Sequence, residues 1–233
     1  RGLGDVYKRQ NEIILRAMEE IEKLASAVPQ GKHIITGDIR KLSAKLFREL
    51  EDKTIGNVLA LCEELLEQQS WALGVIAYDW AFRVRGQYNE ATYDVFYSWL
   101  KRYVRGWGDC DDFCTHAFGA LLQRDKSLFA KITDWTADKD FWVRRASAVI
   151  LIPAILHNDY EGLYPYQISD LLMYDGHDLV QKGYGWMLKC LSTADMESVK
   201  EYLALRHKEM PRTAFRYALE KFDEKIRKEL MAL

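Results

Sequence analysis

The stretch DKDFWVRRASAVILIPAIL, residues 138–156, carries the clearest indication of the fold class. Apolar side chains recur from Phe141 to Leu156 at intervals that suit a buried α-helix. Asp138 stands just before this run, where a short acidic side chain can accept hydrogen bonds from the first free backbone N–H groups. The stretch therefore predicts one apolar helix over 141–156, capped by Asp138.

The same helical spacing recurs on both sides of this stretch. Asp38, Ser70 and Asn89 each precede an apolar stripe and are predicted to cap helices. Further helices are predicted near 166–174, 178–191, 195–207 and 212–230. No segment alternates apolar and polar residues as a series of strands would, and the chain has only 4 prolines in 233 residues. The pattern predicts an all-α protein.

Helices of this length with short connections are expected to pack as antiparallel neighbours. A paired-helix period of about 35–45 residues favours an α-α superhelix, that is, a HEAT-like repeat solenoid with a concave cleft, over a closed bundle. We expect residues 11–233 to form a single domain of this kind. Residues 1–10, RGLGDVYKRQ, show no apolar periodicity and are expected to be a non-native leader.

Composition limits the classes of function. Hydrophobic residues make up 48% of the chain, which is enough for a continuous core, and the net charge is −2, so nucleic-acid binding would need a local basic face. Cys110, Cys114 and His116 lie close together but lack an evident fourth ligand, so we expect no metal. The cysteines form no paired framework, which fits free thiols in a cytoplasmic protein, and no apolar run is long enough to span a membrane.

Basic residues recur on alternate predicted helices, near their carboxyl ends. On a solenoid they could line one channel that follows a phosphate backbone, although cations near helix carboxyl ends also complement the helix dipole. The residues concerned are Arg83, Arg85, Lys101, Arg102, Arg105, Arg144, Arg145, Lys182, Lys189, Arg212 and Arg216.

Three short segments combine aromatic, acidic and basic residues. In WGDCDD, residues 107–112, an aromatic stands four residues before Asp111 at the start of a helix, where a carboxylate is most often a cap. In FWVRRA, residues 141–146, at least one of two adjacent arginines should reach a phosphate or a carboxylate. In QKGYGW, residues 181–186, two glycines allow another backbone, of protein or nucleic acid, to approach closely, and Trp186 is either a core residue or a stacking platform.

The order Trp-x-x-x-Asp, Trp-x-x-Arg-Ala and Gln-Lys-x-x-Gly-Trp resembles the AlkD-like DNA alkylation repair enzymes. The segments Ile39–Ser43 and Met210–Ala218 are also similar to that family. The resemblance covers about residues 36–225. Each motif is short, and their shared order and spacing make the match specific.

The resemblance implies a HEAT-like solenoid that holds alkylated duplex DNA in a basic cleft and excises cationic purines such as 3-methyladenine and 7-methylguanine. It implies that Trp107 and Trp186 form aromatic walls beside the deoxyribose and that Asp111 is the catalytic carboxylate, with Asp109 as the alternative. Arg145 would grip the DNA backbone near the lesion. The other predicted DNA contacts are Arg144, Arg83, Arg85, Lys182, Lys189, Arg212 and Arg216.

Two other functions stay open on sequence grounds: a catalytically silent relative that binds DNA, and a HEAT-type scaffold for protein interactions. No Gly-rich phosphate loop or convincing metal set is present, so we expect no cofactor. We further expect a monomer that does not associate with a membrane.

Overall fold

The computed structural model describes the backbone of residues 3–233 and the side chains of residues 12–233. This part of the chain contains helices and turns but no β-strand, which confirms the all-α prediction. The chain divides into two compact units, one ending at Tyr103 and one spanning Val104–Leu233. The single domain over 11–233 stays a prediction. Of the expected leader, residues 1 and 2 lie outside the described backbone, and the helix that begins at Leu3 includes the rest.

The amino-terminal unit contains α1 (Leu3–Ala27), α2 (Thr36–Glu49), α3 (Ile55–Glu67), α4 (Trp71–Arg83) and α5 (Thr92–Tyr103). A buried polar contact ties α2 to α4: the Ser43 hydroxyl donates to the Asp79 carboxylate, and the Trp80 indole donates to the Ser43 carbonyl. Both acceptors are thus satisfied inside the core, where an unpaired polar group would be costly.

The capping predictions in this unit had mixed outcomes. Asp38 is not the cap of α2, because the helix begins at Thr36; Asp38 lies in its first turn and pairs with Lys41. Ser70 precedes α4 without making a side-chain capping bond. Asn89 does accept a backbone hydrogen bond, from Ala91, in the turn before α5.

The carboxy-terminal unit contains α6 (Trp107–Thr115), α7 (Ala117–Arg124), α8 (Phe129–Trp135), α9 (Phe141–Val149), α10 (Ile152–Leu156), α11 (Pro165–Leu172), α12 (Asp178–Ala194), α13 (Met196–Arg206), α14 (Arg212–Ala218) and α15 (Glu224–Met231). Helix α12 is central to this unit because it packs against both α9 and α14. The predicted helices near 166–174, 178–191 and 195–207 correspond to α11, α12 and α13.

The predicted single helix over 141–156 is wrong in two respects. The stretch forms α9 and α10, separated by a turn at residues 150–151. Pro153 explains the break, because it has no N–H to donate and its ring would collide with the carbonyl group of Val149 in a continuous helix. The cap is Asp140, whose carboxylate accepts the Trp142 N–H at 2.9 Å, while Asp138 accepts the N–H of Asp140.

The predicted helix over 212–230 is also interrupted. Helix α14 ends at Ala218, a 3-10 turn follows at Leu219–Lys221, and α15 begins at Glu224. Asp223 caps α15 by accepting the Ile226 N–H at 2.8 Å. This new start turns α15 into a separate element beside α14.

The four cysteines are buried and form no disulfide. None of the helices in the described residues has the length and apolar character needed to cross a membrane.

Candidate active site

A recess of about 370 Å³ in the carboxy-terminal unit brings together the four residues on which the family resemblance depends. Its lining consists of Trp107, Asp111, Arg145, Leu179, Lys182, Trp186, Lys189 and Tyr217. These residues come from α6, α9, α12 and α14. Four helices that are distant in sequence therefore share one small concave surface.

The first turns of α6 contain two carboxylates, Asp109 and Asp111, which have different surroundings. Gly106 is the N-cap, and Asp109, three residues later, folds back to accept the backbone N–H groups of Arg105 and Gly106, as in a capping box. Asp111 lies about 200° further round the helix than Asp109 and faces the recess. Asp109 is therefore the capping carboxylate, and Asp111 is the one available to a ligand.

Helix geometry also explains the spacing between Trp107 and Asp111. Residues four apart lie on the same face of a helix, one turn above the other. Trp107 is the first residue of α6 and is 65% exposed, so its indole is a surface feature and not part of the core. An exposed aromatic face beside a carboxylate suits contact with a sugar or a base.

Arg145 holds Asp111 in a bidentate ion pair. Its Nε donates to Asp111 Oδ1 at 3.0 Å, its Nη2 donates to Oδ2 at 2.9 Å, and its Nη1 donates to the Leu179 carbonyl. The Arg145 side chain is 6% exposed, and that of Asp111 is 17% exposed. Each guanidinium nitrogen thus has a protein acceptor. Arg145 acts on Asp111 as a positioning residue, and its expected contact with the DNA backbone stays a prediction.

Burial is the main influence on the Asp111 carboxyl group and raises its pKa above the ordinary aspartate value. The positive charge of Arg145 opposes this shift, and the nearby Asp112 adds to it. Desolvation also raises the pKa of Asp109, although its two backbone hydrogen bonds oppose that effect. Both carboxylates therefore bind protons more readily than exposed aspartates do.

Helix α12 forms the opposite wall of the recess. Lys182, Trp186 and Lys189 stand at positions i, i+4 and i+7, so they share one face. Trp186 is half-buried and lines the recess, which places it between the two sequence-based alternatives of core residue and exposed platform. The Lys182 and Lys189 ammonium groups pair with Asp178 at 2.6 Å and Glu220 at 2.7 Å.

The two glycines of α12 make room for protein neighbours. A Cβ on Gly183 would lie 3.1 Å from Arg145 Cγ, so a side chain at position 183 would press on the arginine that pairs with Asp111. A Cβ on Gly185 would lie 2.7 Å from the Ala214 carbonyl oxygen of α14. At Gly185 the close neighbour is thus a protein backbone, whereas at Gly183 it is the side chain of Arg145.

Tyr217 is a recess residue that the sequence analysis did not single out. It lies on α14 beside Lys189, whose Nζ is 6.0 Å from the centre of its ring. Its position in the basic segment Met210–Ala218 was the available signal, because a half-exposed aromatic among arginines is typical of a contact surface.

Several predicted DNA contacts lie outside this recess. Arg144 pairs with Asp175 at 2.6 Å, and its side chain is 21% exposed. Arg83 pairs with the buried Asp79, and Arg85 stacks over the Phe82 ring at 4.2 Å, both within the amino-terminal unit. Arg212 and Arg216 line a second cleft of the carboxy-terminal unit.

The described residues contain no group of three or more side chains placed to hold a metal ion. Cys110 directs its thiol to the Trp142 carbonyl at 3.8 Å, and His116 lies 2.9 Å from the Asp112 carbonyl. Cys110 and His116, two of the three residues that raised the question of a metal, thus contact backbone carbonyl groups.

Comparison with known proteins relates the chain to one family and to solved structures of the same fold. The family model described as "DNA alkylation repair enzyme" matches residues 34–222. A solved structure described as a "predicted DNA alkylation repair enzyme from Enterococcus faecalis" superposes with a TM-score of 0.64 over 91% of this chain and 96% of that chain, at 15% identity. At that identity the superposition supports the fold alone. A search of curated proteins gave no match.

Proposed function

Since the chain belongs to the DNA alkylation repair enzyme family, we propose that it is a DNA glycosylase that removes cationic alkylated purines, such as 3-methyladenine and 7-methylguanine, from duplex DNA. The observation that carries the proposal is the shared recess of Asp111, Trp107 and Trp186. A recess with one carboxylate between two indoles suits a reaction that develops positive charge on a sugar.

The chemistry follows from the charge of the lesion. A purine alkylated at N3 or N7 is already cationic, so it leaves without protonation by a general acid. Breaking its bond to C1′ builds oxocarbenium character on the deoxyribose, which the Asp111 carboxylate stabilises while it orients the attacking water. Indole faces add cation–π attraction to the same charge. One carboxylate then suffices, where ordinary glycoside hydrolysis uses two.

Arg145 supports this role by fixing both oxygens of Asp111. A preorganised charge stabilises a transition state better than one that must reorient during the reaction. Lys182 and Lys189 also line the recess and suit contact with the phosphates beside the lesion, in exchange for their present carboxylate partners Asp178 and Glu220.

The decisive experiment measures release of 7-methylguanine from methylated duplex DNA. We expect Asp111→Asn to lower the rate by about 100-fold or more, because the amide keeps the shape of the side chain but not its charge. The matched control is Asp134→Asn, which makes the same change at an exposed position on α8 of the same unit. Equal rates for Asp111→Asn and wild type would remove Asp111 from the mechanism.

Binding measured in parallel separates the proposal from its alternatives. A folded wild-type protein that binds duplex DNA but releases no base would be the catalytically silent relative. A folded protein that binds no DNA would favour the protein-interaction scaffold.

A further inference from the structure

A second cleft, of about 780 Å³, lies next to the recess in the carboxy-terminal unit. Its walls come from the start of α12, from α14 and the turn after it, and from α15. Its basic lining residues are Lys182, Arg212, Arg216, Arg227 and Lys228. Its acidic lining residues are Asp178 and Glu220.

Both acidic residues of this cleft already have partners. Asp178 pairs with Lys182, and Glu220 pairs with Lys189, which is a residue of the recess. Lys228 pairs with Glu224 on its own helix. The carboxylates therefore leave the arginines of the cleft without a neutralising charge.

The arginines themselves have few or no protein contacts. Arg212 donates only to the Met231 carbonyl, at 3.3 Å, among the side chains that the structure describes. Within the same part of the chain, Arg216 and Arg227 make no hydrogen bond or ion pair, and both are exposed. Two unpaired guanidinium groups that line one cleft match the bidentate acceptors of a phosphate.

The cleft and the recess are adjacent, because Lys182 and Tyr217 line both. A polymer with one unit in the recess can therefore pass directly into the cleft. We propose that helix α15 extends the DNA-binding surface: this cleft binds the phosphodiester backbone of the DNA strand that runs out of the recess, and Arg227 adds a phosphate contact beside Arg216, a DNA contact already predicted from the sequence. The proposal rests on the proposed function, which places a nucleotide of that strand in the recess.

Helix α15 supplies Arg227 and lies beyond residue 222, where the family match ends. It is held in place by the burial of Leu230 and by the bond from Arg212 to Met231. The outer wall of the cleft is thus a feature of this chain outside the segment that defines the family.

The test uses the full chain and duplex DNA that contains a tetrahydrofuran abasic analogue. Fluorescence anisotropy gives the Kd between about 50 and about 200 mM NaCl. We expect Arg227→Gln to weaken binding by about 3- to 10-fold and to reduce the slope of log Kobs against log salt by about 1, because one phosphate contact is lost. Arg216→Gln should behave in the same way.

Lys225→Gln is the matched control, since Lys225 is an exposed cation on α15 that does not line the cleft. Its Kd and salt slope should equal those of the wild type. If Arg227→Gln and Lys225→Gln weaken binding equally, the effect is one of net charge and the proposal is overturned.

A second arm tests the continuity of the strand. One duplex carries the analogue near the 5′ end of its strand, and a second duplex carries it near the 3′ end. With the analogue in the recess, the longer arm of only one of these duplexes extends into the cleft. Arg227→Gln should raise the Kd for that duplex alone. An equal rise for both duplexes, or no rise for either, would overturn the proposal. If the wild type binds DNA and releases 7-methylguanine but Arg227→Gln changes nothing, only the cleft proposal fails. If the wild type binds no DNA, the proposed function fails with it.

Discussion

Asp111 and Arg145 together set the pH range in which the recess can act. The Asp111 carboxylate stabilises a cation only when it is ionised, so base release should fall as the pH falls through its pKa. Burial raises that pKa, and Arg145 lowers it again. In the profile of kcat/KM against pH, the fall on the acidic side should therefore lie above the pH at which an ordinary aspartate titrates, about 3.9.

Replacing the arginine should move this limb further. Arg145→Gln removes the charge that favours the ionised form of Asp111, so the acidic limb of the pH–rate profile should shift to higher pH. Arg144→Gln is the matched control, because it breaks the neighbouring ion pair with Asp175. Both variants should lose about 3 kcal/mol of stability. A limb that stays in place in Arg145→Gln would show that this arginine does not tune Asp111.

At the level of single residues, the sequence located the recess but not its internal contacts. The resemblance to the AlkD-like enzymes singled out Trp107, Asp111 and Trp186, and all three line the recess, while their roles stay a prediction. The Asp109 cap was also readable, from its position three residues after Gly106. The partner of Arg145 was not, since the pair joins residues 34 apart in sequence and depends on how α9 packs against α6.

Among the helices, the contact between α12 and α14 depends on one missing side chain. A Cβ at position 185 would lie 2.7 Å from both the Ala214 carbonyl oxygen and Tyr217 Cβ, so Gly185→Ala must push the two helices apart. We expect a cost of about 1–3 kcal/mol, seen as a lower midpoint of urea unfolding.

Gly176→Ala provides the comparison, because a Cβ there would meet no atom within 4 Å. Its free energy of unfolding should stay within about 0.5 kcal/mol of the wild-type value, so its urea midpoint should be nearly unchanged. An unchanged midpoint for Gly185→Ala as well would mean that α12 and α14 tolerate separation.

Helix positions were predictable from apolar spacing, and helix ends were less so. Pro153 was the visible sign that 141–156 would break, but the strong apolar run favoured a single helix. Between Ala218 and Glu224 no proline or glycine marks the break. There the Asp223 cap competes successfully with continuation of the helix, which only the packed structure reveals.

For the whole chain, the relevant electrostatic quantity is where the charges lie and not their sum. The net charge is −2, so a uniform attraction to DNA is absent. If the two lysines of the recess and two or three arginines of the cleft each contact a phosphate, log Kobs should fall with log salt at a slope between about −3.5 and −4.5. Titrations of the wild type at several salt concentrations measure this slope. Salt-independent binding would contradict the phosphate contacts.

The all-helical class followed from the absence of strand-like alternation. The division after Tyr103 did not, because the connection from α5 to α6 is only residues 104–106 and has no linker composition. Such a boundary arises from which helices bury one another's faces, and a short connection gives no sign of it.

The recess contains a single acidic residue, Asp111, among its lining side chains. Under the proposed function, this shortage has a protective value during the search for damage. A normal purine is a poor leaving group and needs a proton donor to depart, and the recess contains no second carboxylic acid of the kind that supplies this proton in ordinary glycoside hydrolysis. The protein can then move along intact DNA while Asp111 stays in its reactive position. Whether a base is released then depends on the charge of that base.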